Sequence, residues 1–193
     1  MGNFSLTTFD MSLNLNTATA AQLNTYRETV GGVISLDFSS GAKIPRTTNG
    51  AGVDSLTETT TNKINADLLV FDPATKEYAQ AWFIWPQGWA TCKATFYTKP
   101  TSGTGSFVLG AQVRVYTDGD AIDSAFGTAQ EVTDAAASAE TVRQSSATAA
   151  ITPSGTVAGG KLACLQVYRD PANGSDDHAV DLPLLHVKLE CAD

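Results

Sequence analysis

The chain has 193 residues, and its 12 Lys and Arg against 20 Asp and Glu give a formal net charge of -8. An acidic surface repels the phosphates of nucleic acids, which argues against direct binding of DNA or RNA. No apolar stretch approaches the roughly 20 residues that a membrane helix needs, so no membrane contact is predicted. The length fits one domain, or one domain with an arm.

Residues 1–62 are polar, rich in Thr and Asn, and light in charge. They contain one short strand pattern, VISLDF at 33–38, and one or two helical turns within TAAQLNTYRETV at 19–30. With few large apolar side chains, such a segment does not offset the entropy of ordering its own backbone. We predict an extended N-terminal arm over 1–62, ordered by a partner or a neighbouring subunit. Because the start lacks the pattern of a secretory signal, synthesis in a cytoplasm is expected.

From residue 63 to 193, short apolar runs alternate with Gly, Pro and Asp turn signals, a pattern typical of β-sandwiches and jelly rolls. The predicted strands are INADLLVF (64–71), YAQAWFIW (78–85), TCKATFYT (91–98), FVLGAQVRVYT (107–117), TAQEVTD (128–134), ETVRQSSATAAI (140–151), KLACLQVYR (161–169) and LPLLHVKLE (182–190). The predicted fold class is therefore all-β, an antiparallel β-sandwich or jelly roll over 63–193 that carries the N-terminal arm.

Side-chain alternation predicts which face of two strands is buried. The residues expected to face inward are Phe107, Leu109, Ala111, Val113 and Val115 in the first strand, and Leu185, Val187 and Leu189 in the last. His186, Lys188 and Glu190 are expected to face outward. Between strands, residues 120–127 are predicted to form one helical turn capped by Asp120.

The strand 78–85 is apolar on both faces, with Tyr78, Trp82 and Ile84 on one and Phe83 and Trp85 on the other. Such a strand lies between layers or under a subunit interface. The candidate site aromatics Trp82, Trp85 and Trp89 are therefore interpreted as core or interface residues. The alternative is a platform on which sugar rings stack.

The segment VYRDPANGSDDHAVDLPLLHVKLE at 167–190 places four Asp between two apolar runs. We interpret this segment as a polar turn, in which Arg169 pairs with one Asp across the loop and fixes the shape of the loop. The residues of this structural turn are Arg169, Asp170, Asn173, Gly174 and Asp177. A calcium site that uses Asp170, Asp176 and Asp177 stays open, although the EF-hand spacing is absent. A pair of catalytic carboxylates stays open as well, because one sequence does not reveal their separation.

No motif of a known catalytic or cofactor site is present. The sequence lacks the G-x-S-x-G elbow and the glycine-rich nucleotide loops, and its two histidines, His178 and His186, do not have zinc-site spacing. We predict no catalytic residue, no metal and no cofactor, and hence no enzyme. Three scattered cysteines, Cys92, Cys164 and Cys191, are expected to be reduced thiols, with Cys164 buried.

One arrangement of residues goes beyond composition. FDPATKE (71–77) leads into YAQAWFIWP (78–86), the residues 91–134 contain a strand followed by DGD, and the segment 167–190 ends the pattern with a V-x-L strand. Over 64–193 the chain resembles a family of tailed-phage virion proteins with a jelly-roll domain. Pro183 departs from the pattern early in the last strand, which puts the start of that strand in doubt.

The resemblance implies a structural role without catalysis. On it rests the expectation of a homotrimer that decorates and cements the phage capsid by binding the major capsid protein, with the capsid surface of the virion as its location. The alternative is a tail-tip or fibre-associated protein that binds a host carbohydrate through an exposed groove containing Trp85 or Trp89. A virion glycosidase would need two carboxylates that face each other in a cleft.

Overall fold

The fold is taken from a computed structural model that describes residues 33–37, 44–53, 57–66 and 68–192. The chain divides after Gly31, and every described residue belongs to the unit Gly32–Asp193. The predicted helical turns at 19–30 and most of the predicted arm lie outside the described residues. Among the residues described, no helix is long and apolar enough to cross a membrane.

The described residues form strands joined by turns and irregular segments. The strands are β1 (Val33–Asp37), β2 (Ile44–Pro45), β3 (Gly52–Val53), β4 (Thr57–Glu58), β5 (Asn65–Ala66), β6 (Leu69–Phe71), β7 (Glu77–Ile84), β8 (Cys92–Thr98), β9 (Ser106–Tyr116), β10 (Gln130–Ala135), β11 (Arg143–Gln144), β12 (Leu162–Arg169) and β13 (Leu182–Cys191).

Two antiparallel sheets contain almost all of these strands. The six-stranded sheet has the order β11-β8-β13-β6-β3, and its sixth strand, β1, also pairs with β13. The five-stranded sheet has the order β10-β9-β12-β7-β2. The short strands β4 and β5 pair with each other alone. The prediction of an all-β antiparallel β-sandwich or jelly roll is confirmed.

The core lies between the inner faces of the two sheets. In β9 the predicted inward residues Phe107, Leu109, Ala111, Val113 and Val115 are each at most 1% exposed, so that prediction is confirmed. They join one continuous apolar cluster with inner-face residues of β7, β8, β12 and β13. Burying this alternating face is what stabilises the pairing of the strands.

Strands that precede residue 63 also take part in the sheets. β1 pairs with β13, β2 with β7, and β3 with β6. Sheet pairing therefore extends into the segment assigned to the arm, while the boundary between 62 and 63 stays a prediction.

The predicted strand 140–151 is reduced to β11, because the segment after it runs along β8 in a different way. Every third residue of this segment meets every second residue of β8. The bonds are Phe96 N to Ser145 Oγ (3.0 Å), Ala94 N to Thr148 Oγ1 (3.0 Å) and Cys92 N to Ile151 O (3.1 Å). Two buried hydroxyls thus take the place of strand carbonyls along this edge.

Two local predictions are wrong for identifiable reasons. No helical turn forms at 120–127, because the Asp120 carboxylate accepts from Thr117 N at 3.0 Å and from Arg114 Nη2 at 3.0 Å and so closes a turn. In β13 the pairing with β8 shifts register between Leu184 and His186. Leu184 is consequently buried at 0% exposure, and Leu185, which was predicted to face inward, is only half-buried.

Candidate functional site

The Asp-rich turn after β12 is built around the side chain of Arg169. Arg169 is 0% exposed, its Nε donates to Asp176 Oδ2 at 3.0 Å and its Nη2 donates to Asp176 Oδ1 at 2.8 Å. Nη1 donates to the Val180 carbonyl at 2.8 Å, and Nη2 also donates to the His178 carbonyl. This bidentate pair joins the two ends of the turn.

The other polar side chains of the turn each bind a different partner. Asp170 binds Lys76 Nζ at 2.7 Å, and Asp177 Oδ1 accepts from Ser106 N at 2.5 Å. Asn173 Nδ2 donates to Glu131 Oε2 at 3.1 Å, and Gly174 lies at the exposed tip. Within the described ranges, no three His, Cys, Asp or Glu side chains are grouped to hold a metal ion. The geometry is that of a turn fixed by an arginine.

Trp85 and Trp89 lie in the apolar core of the sandwich. Trp85 is 0% exposed and Trp89 is 7% exposed, their rings meet edge to face at 5.8 Å, and Trp85 Nε1 donates to the Trp89 carbonyl at 3.0 Å. A groove containing either ring is therefore not formed on the surface, which corrects that expectation. Trp82 points to the opposite side of β7 and is 38% exposed.

The outer face of the five-stranded sheet contains the third tryptophan and most of the other aromatic rings of that sheet. The register aligns four rows of side chains across β7, β12 and β9. Read from one end of the sheet to the other, the rows are Tyr78–Tyr168–Gly110, Gln80–Gln166–Gln112, Trp82–Cys164–Arg114 and Ile84–Leu162–Tyr116. The two ends of this face differ in how exposed their large side chains are, although a cation lies near a tyrosine ring at both ends, with Arg114 5.3 Å from the centre of the Tyr116 ring.

We name the end at Tyr78 and Tyr168 the closed half. The Arg46 guanidinium lies 4.2 Å from the centre of the Tyr78 ring, and Lys76 Nζ lies 4.0 Å from the centre of the Tyr168 ring. The Tyr168 hydroxyl donates to Glu131 Oε1 at 2.9 Å. The chain itself thus supplies cations and a hydrogen-bond acceptor to these rings.

We name the end at Trp82, Ile84, Leu162 and Tyr116 the open half. Ile84 is 59% exposed and Leu162 is 45% exposed. The rings of Trp82 and Tyr116 are 5.5 Å apart and tilted by 36°. Large apolar side chains that are exposed side by side on one face form a contiguous patch, which is typical of a binding surface.

Polar groups border the open half on two sides. In the row of three glutamines, Gln80 Nε2 donates to Gln166 Oε1 at 2.9 Å, and Gln80 lies opposite the exposed Ile44 of β2. Beside Tyr116, Arg114 Nη2 binds Asp120 at 3.0 Å. Burial raises the pKa of the Tyr116 hydroxyl above its usual value, so at neutral pH this hydroxyl is a neutral donor to the Ile122 carbonyl at 3.0 Å.

Sequence reasoning separated Trp82 from Trp85 by strand alternation but did not identify the open half. The aliphatic members come from two strands that are distant along the chain, β7 and β12. The signal that was available is that Ile84 and Leu162 are apolar at even-numbered positions, whereas the core positions of both strands are odd-numbered.

No family model matches this chain, and no curated protein matches it. Among solved structures, it is similar to the CBM22-2 xylan-binding domain from Paenibacillus barcinonensis Xyn10C, with 12% identity over 82% of this chain and 99% of that chain and a TM-score of 0.48. It is also similar to CBM35 from Cellvibrio japonicus Abf62, with 12% identity, coverage of 82% and 92%, and a TM-score of 0.46.

A third similar structure is a family 11 carbohydrate-binding module from Clostridium thermocellum in complex with a β-1,3-1,4-mixed-linked tetrasaccharide. It shares 14% identity over 82% of this chain and 95% of that chain, with a TM-score of 0.44. At these identities and TM-scores the likenesses carry no argument about function.

Proposed function

We propose that this chain is a non-catalytic module that binds carbohydrate on the open half of the five-stranded sheet. The observation that carries the proposal is the exposed Trp82 ring, tilted against Tyr116 on a sheet face and bordered by a row of amides.

The chemistry of sugars fits this surface. One face of a pyranose ring presents C–H groups that pack on an aromatic ring, while the hydroxyls at its rim need hydrogen-bond donors and acceptors. Trp82 supplies the apolar contact. The amides of Gln80 and Gln112, both half-buried at the sheet surface, supply donors and acceptors together.

The tilt between the two rings favours a single sugar chain over a flat crystalline surface. Rings that are inclined by 36° do not lie in one plane, so they contact a flat array of sugars poorly. A flexible soluble polysaccharide adapts its path to both rings. In the phage setting that the sequence resemblance implies, the ligand would be a host-surface glycan and the module would be tail-tip or fibre-associated.

The test is to titrate the protein with a panel of soluble polysaccharides and bacterial surface glycans, and to repeat the best titration with Trp82→Ala. We expect Trp82→Ala to weaken binding by roughly fivefold or more, because a stacking aromatic at the centre of a site contributes more than about 1 kcal/mol. The matched control is Tyr97→Ala, which removes a half-buried ring from the other sheet. Equal affinities of Trp82→Ala and the parent would contradict the proposal.

A second candidate function is capsid decoration, in which a homotrimer binds the major capsid protein on the virion surface. The observation in its favour is the set of exposed aliphatic side chains on the same face, Ile44, Ile84 and Leu162. Sugars make little use of aliphatic groups, whereas the centre of a protein interface is apolar.

Mixing the protein with undecorated particles separates the two candidates. Many copies on the capsid faces, lost with Ile84→Ser, would support decoration. Glycan binding without particle binding would support the first candidate.

A further inference from the structure

Two of the three cysteines lie directly opposite each other in the six-stranded sheet. Cys92 is the first residue of β8, Cys191 is the last residue of β13, and the antiparallel register pairs them. No disulfide joins them in this structure.

The backbone bonds around Cys92 identify the kind of pair. Cys92 N donates to the Ile151 carbonyl at 3.1 Å, and Ile151 N donates to the Cys92 carbonyl at 2.7 Å, so both polar groups of Cys92 point away from β13. The neighbouring Thr91 carbonyl accepts from Ala192 N on the β13 side. Cys92 and Cys191 therefore form a non-hydrogen-bonded pair, the type in which opposite Cα atoms approach to about 4.5 Å.

That separation falls within the range of Cα distances that disulfides span, which is about 4.4–6.8 Å. Residues that are opposite in register also point to the same side of the sheet. Cys92 is 0% exposed in the core, and Cys191 is partly buried and packs against the same core. The two sulfur atoms are thus on one face, at the end of both strands.

The third cysteine has no cysteine opposite it, because its neighbours across the sheet are Trp82 and Arg114. Cys164 lies in β12 of the other sheet and is 1% exposed. Burial raises the pKa of its thiol to about 12, which keeps the reactive thiolate scarce at neutral pH.

We propose that Cys92 and Cys191 form a modification site, a cross-strand disulfide that closes when the protein meets a small-molecule disulfide. Reduced thiols remain the form expected in a reducing cytoplasm, and the disulfide forms once the protein leaves it. This inference is independent of the carbohydrate and capsid proposals.

The reaction is a thiol–disulfide exchange in two steps. The Cys191 thiolate, which is the more exposed of the two, attacks one sulfur of the small disulfide and releases one small thiolate. The Cys92 thiolate then attacks the Cys191 sulfur of the mixed disulfide and releases the second small thiolate. The two protein thiols lose two protons and two electrons, and the small disulfide is reduced to two thiols.

The bond would fasten the end of the strand that holds the sheet together. β13 pairs with β8, β6 and β1, and Cys191 is its last residue. A disulfide here encloses residues 93–190 in a covalent loop, and a loop of that size restricts the unfolded chain strongly.

The test is to incubate the full chain with oxidised glutathione and to measure intact mass, disulfide-linked peptides and thermal unfolding. We expect a mass lower by two hydrogens, a linked peptide pair containing Cys92 and Cys191, and a Tm higher by roughly 5–10 °C. The Cys164→Ser control should behave in the same way, and Cys191→Ser should show neither the mass loss nor the Tm increase.

Three results would overturn the proposal. They are an unchanged mass, a stable glutathione adduct at Cys191 that Cys92 does not displace, and a linked peptide that contains Cys164. Because the linked peptide is identified in the unsubstituted protein, the test does not depend on whether Cys191→Ser folds.

Discussion

The closed and open halves of the five-stranded sheet lie on the same face and both contain aromatic rings, yet they differ in how exposed their large side chains are. In the closed half, Tyr78 lies under Arg46 and Tyr168 lies under Lys76. In the open half, Trp82, Ile84 and Leu162 are 38%, 59% and 45% exposed. Tyr116 of the open half also lies near a cation, the Arg114 guanidinium at 5.3 Å from its ring centre, so the difference concerns Trp82, Ile84 and Leu162. An aromatic-rich sheet face becomes a candidate binding surface where the chain leaves large apolar side chains such as these exposed.

The cover of the closed half comes from residues beside the strand ends. Arg46 follows β2 directly, and Lys76 directly precedes β7. Lys76 also binds Asp170, which follows β12, so the cation over Tyr168 is held by the turn that Arg169 organises. The turn organised by Arg169 therefore also holds Lys76 over the Tyr168 ring.

The largest effect is expected at the buried ion pair of this turn. Asp176→Ala leaves Arg169 buried without its bidentate partner, which typically costs about 3–5 kcal/mol of unfolding free energy. Urea unfolding measures the loss. The control is Asp177→Ala, whose exposed carboxylate has one backbone partner, Ser106 N, and should cost about 1 kcal/mol. If both variants lose a similar amount of unfolding free energy, the ion pair of Arg169 with Asp176 does not stabilise this turn more than an exposed hydrogen bond does.

The second largest effect is expected at Gly110, on which the Tyr168 ring packs. A Cβ at Gly110 would lie 2.2 Å from a ring carbon of Tyr168, so Gly110→Ala displaces the ring from beneath Lys76. Overpacking of this kind typically costs about 1–3 kcal/mol. Gly174→Ala is the matched control, because its Cβ would meet nothing within 4 Å. Thermal unfolding compares the two variants, and an unchanged Tm for Gly110→Ala would contradict the packing described.

A smaller effect appears at alkaline pH. Burial first, and then the hydrogen bond to Glu131, raises the pKa of Tyr168 above its ordinary value of 10.0. Above pH 10 the unfolded chain releases this proton while the folded chain retains it, so stability falls as the pH rises. Tyr168→Phe has no such proton and should lose stability less steeply above pH 10. Parallel curves of unfolding free energy against pH would exclude this contribution.

The smallest effect is expected in the open half. Ile84→Ser removes an exposed side chain, so its unfolding free energy should stay within about 0.5 kcal/mol of the parent value. Ile151→Ser, at a position that is 0% exposed, should cost several times more. If the two substitutions destabilise the chain equally, Ile84 is covered in the folded protein and the open half is not open.

Sequence patterns predict much of this fold because alternation is a local property. The five inward residues of β9 follow from it directly, and so does the placement of Trp82 and Trp85 on opposite faces of β7. Pairing of Arg169 with one Asp across the turn is also a sequence-based expectation. Which Asp it binds is not, because Asp170, Asp176 and Asp177 all lie within reach along the chain.

Other features depend on residues that are far apart in sequence. The register shift after Leu184 changes which leucines of β13 are buried, and it arises from pairing with β8. Arg46 and Lys76 lie over Tyr78 and Tyr168, which come from strands distant from them or from each other along the chain, and neither residue lies over the ring of Trp82. No pattern within one strand contains that information.

The irregular segment along β8 has a consequence for how copies of this chain meet one another. The amides of Cys92, Ala94 and Phe96 already donate to Ile151, Thr148 and Ser145. A strand from another molecule would find these donors occupied, and exposed strand edges are the usual templates for uncontrolled polymerisation. At high local concentration, this side of the sandwich is therefore protected against growth into fibres.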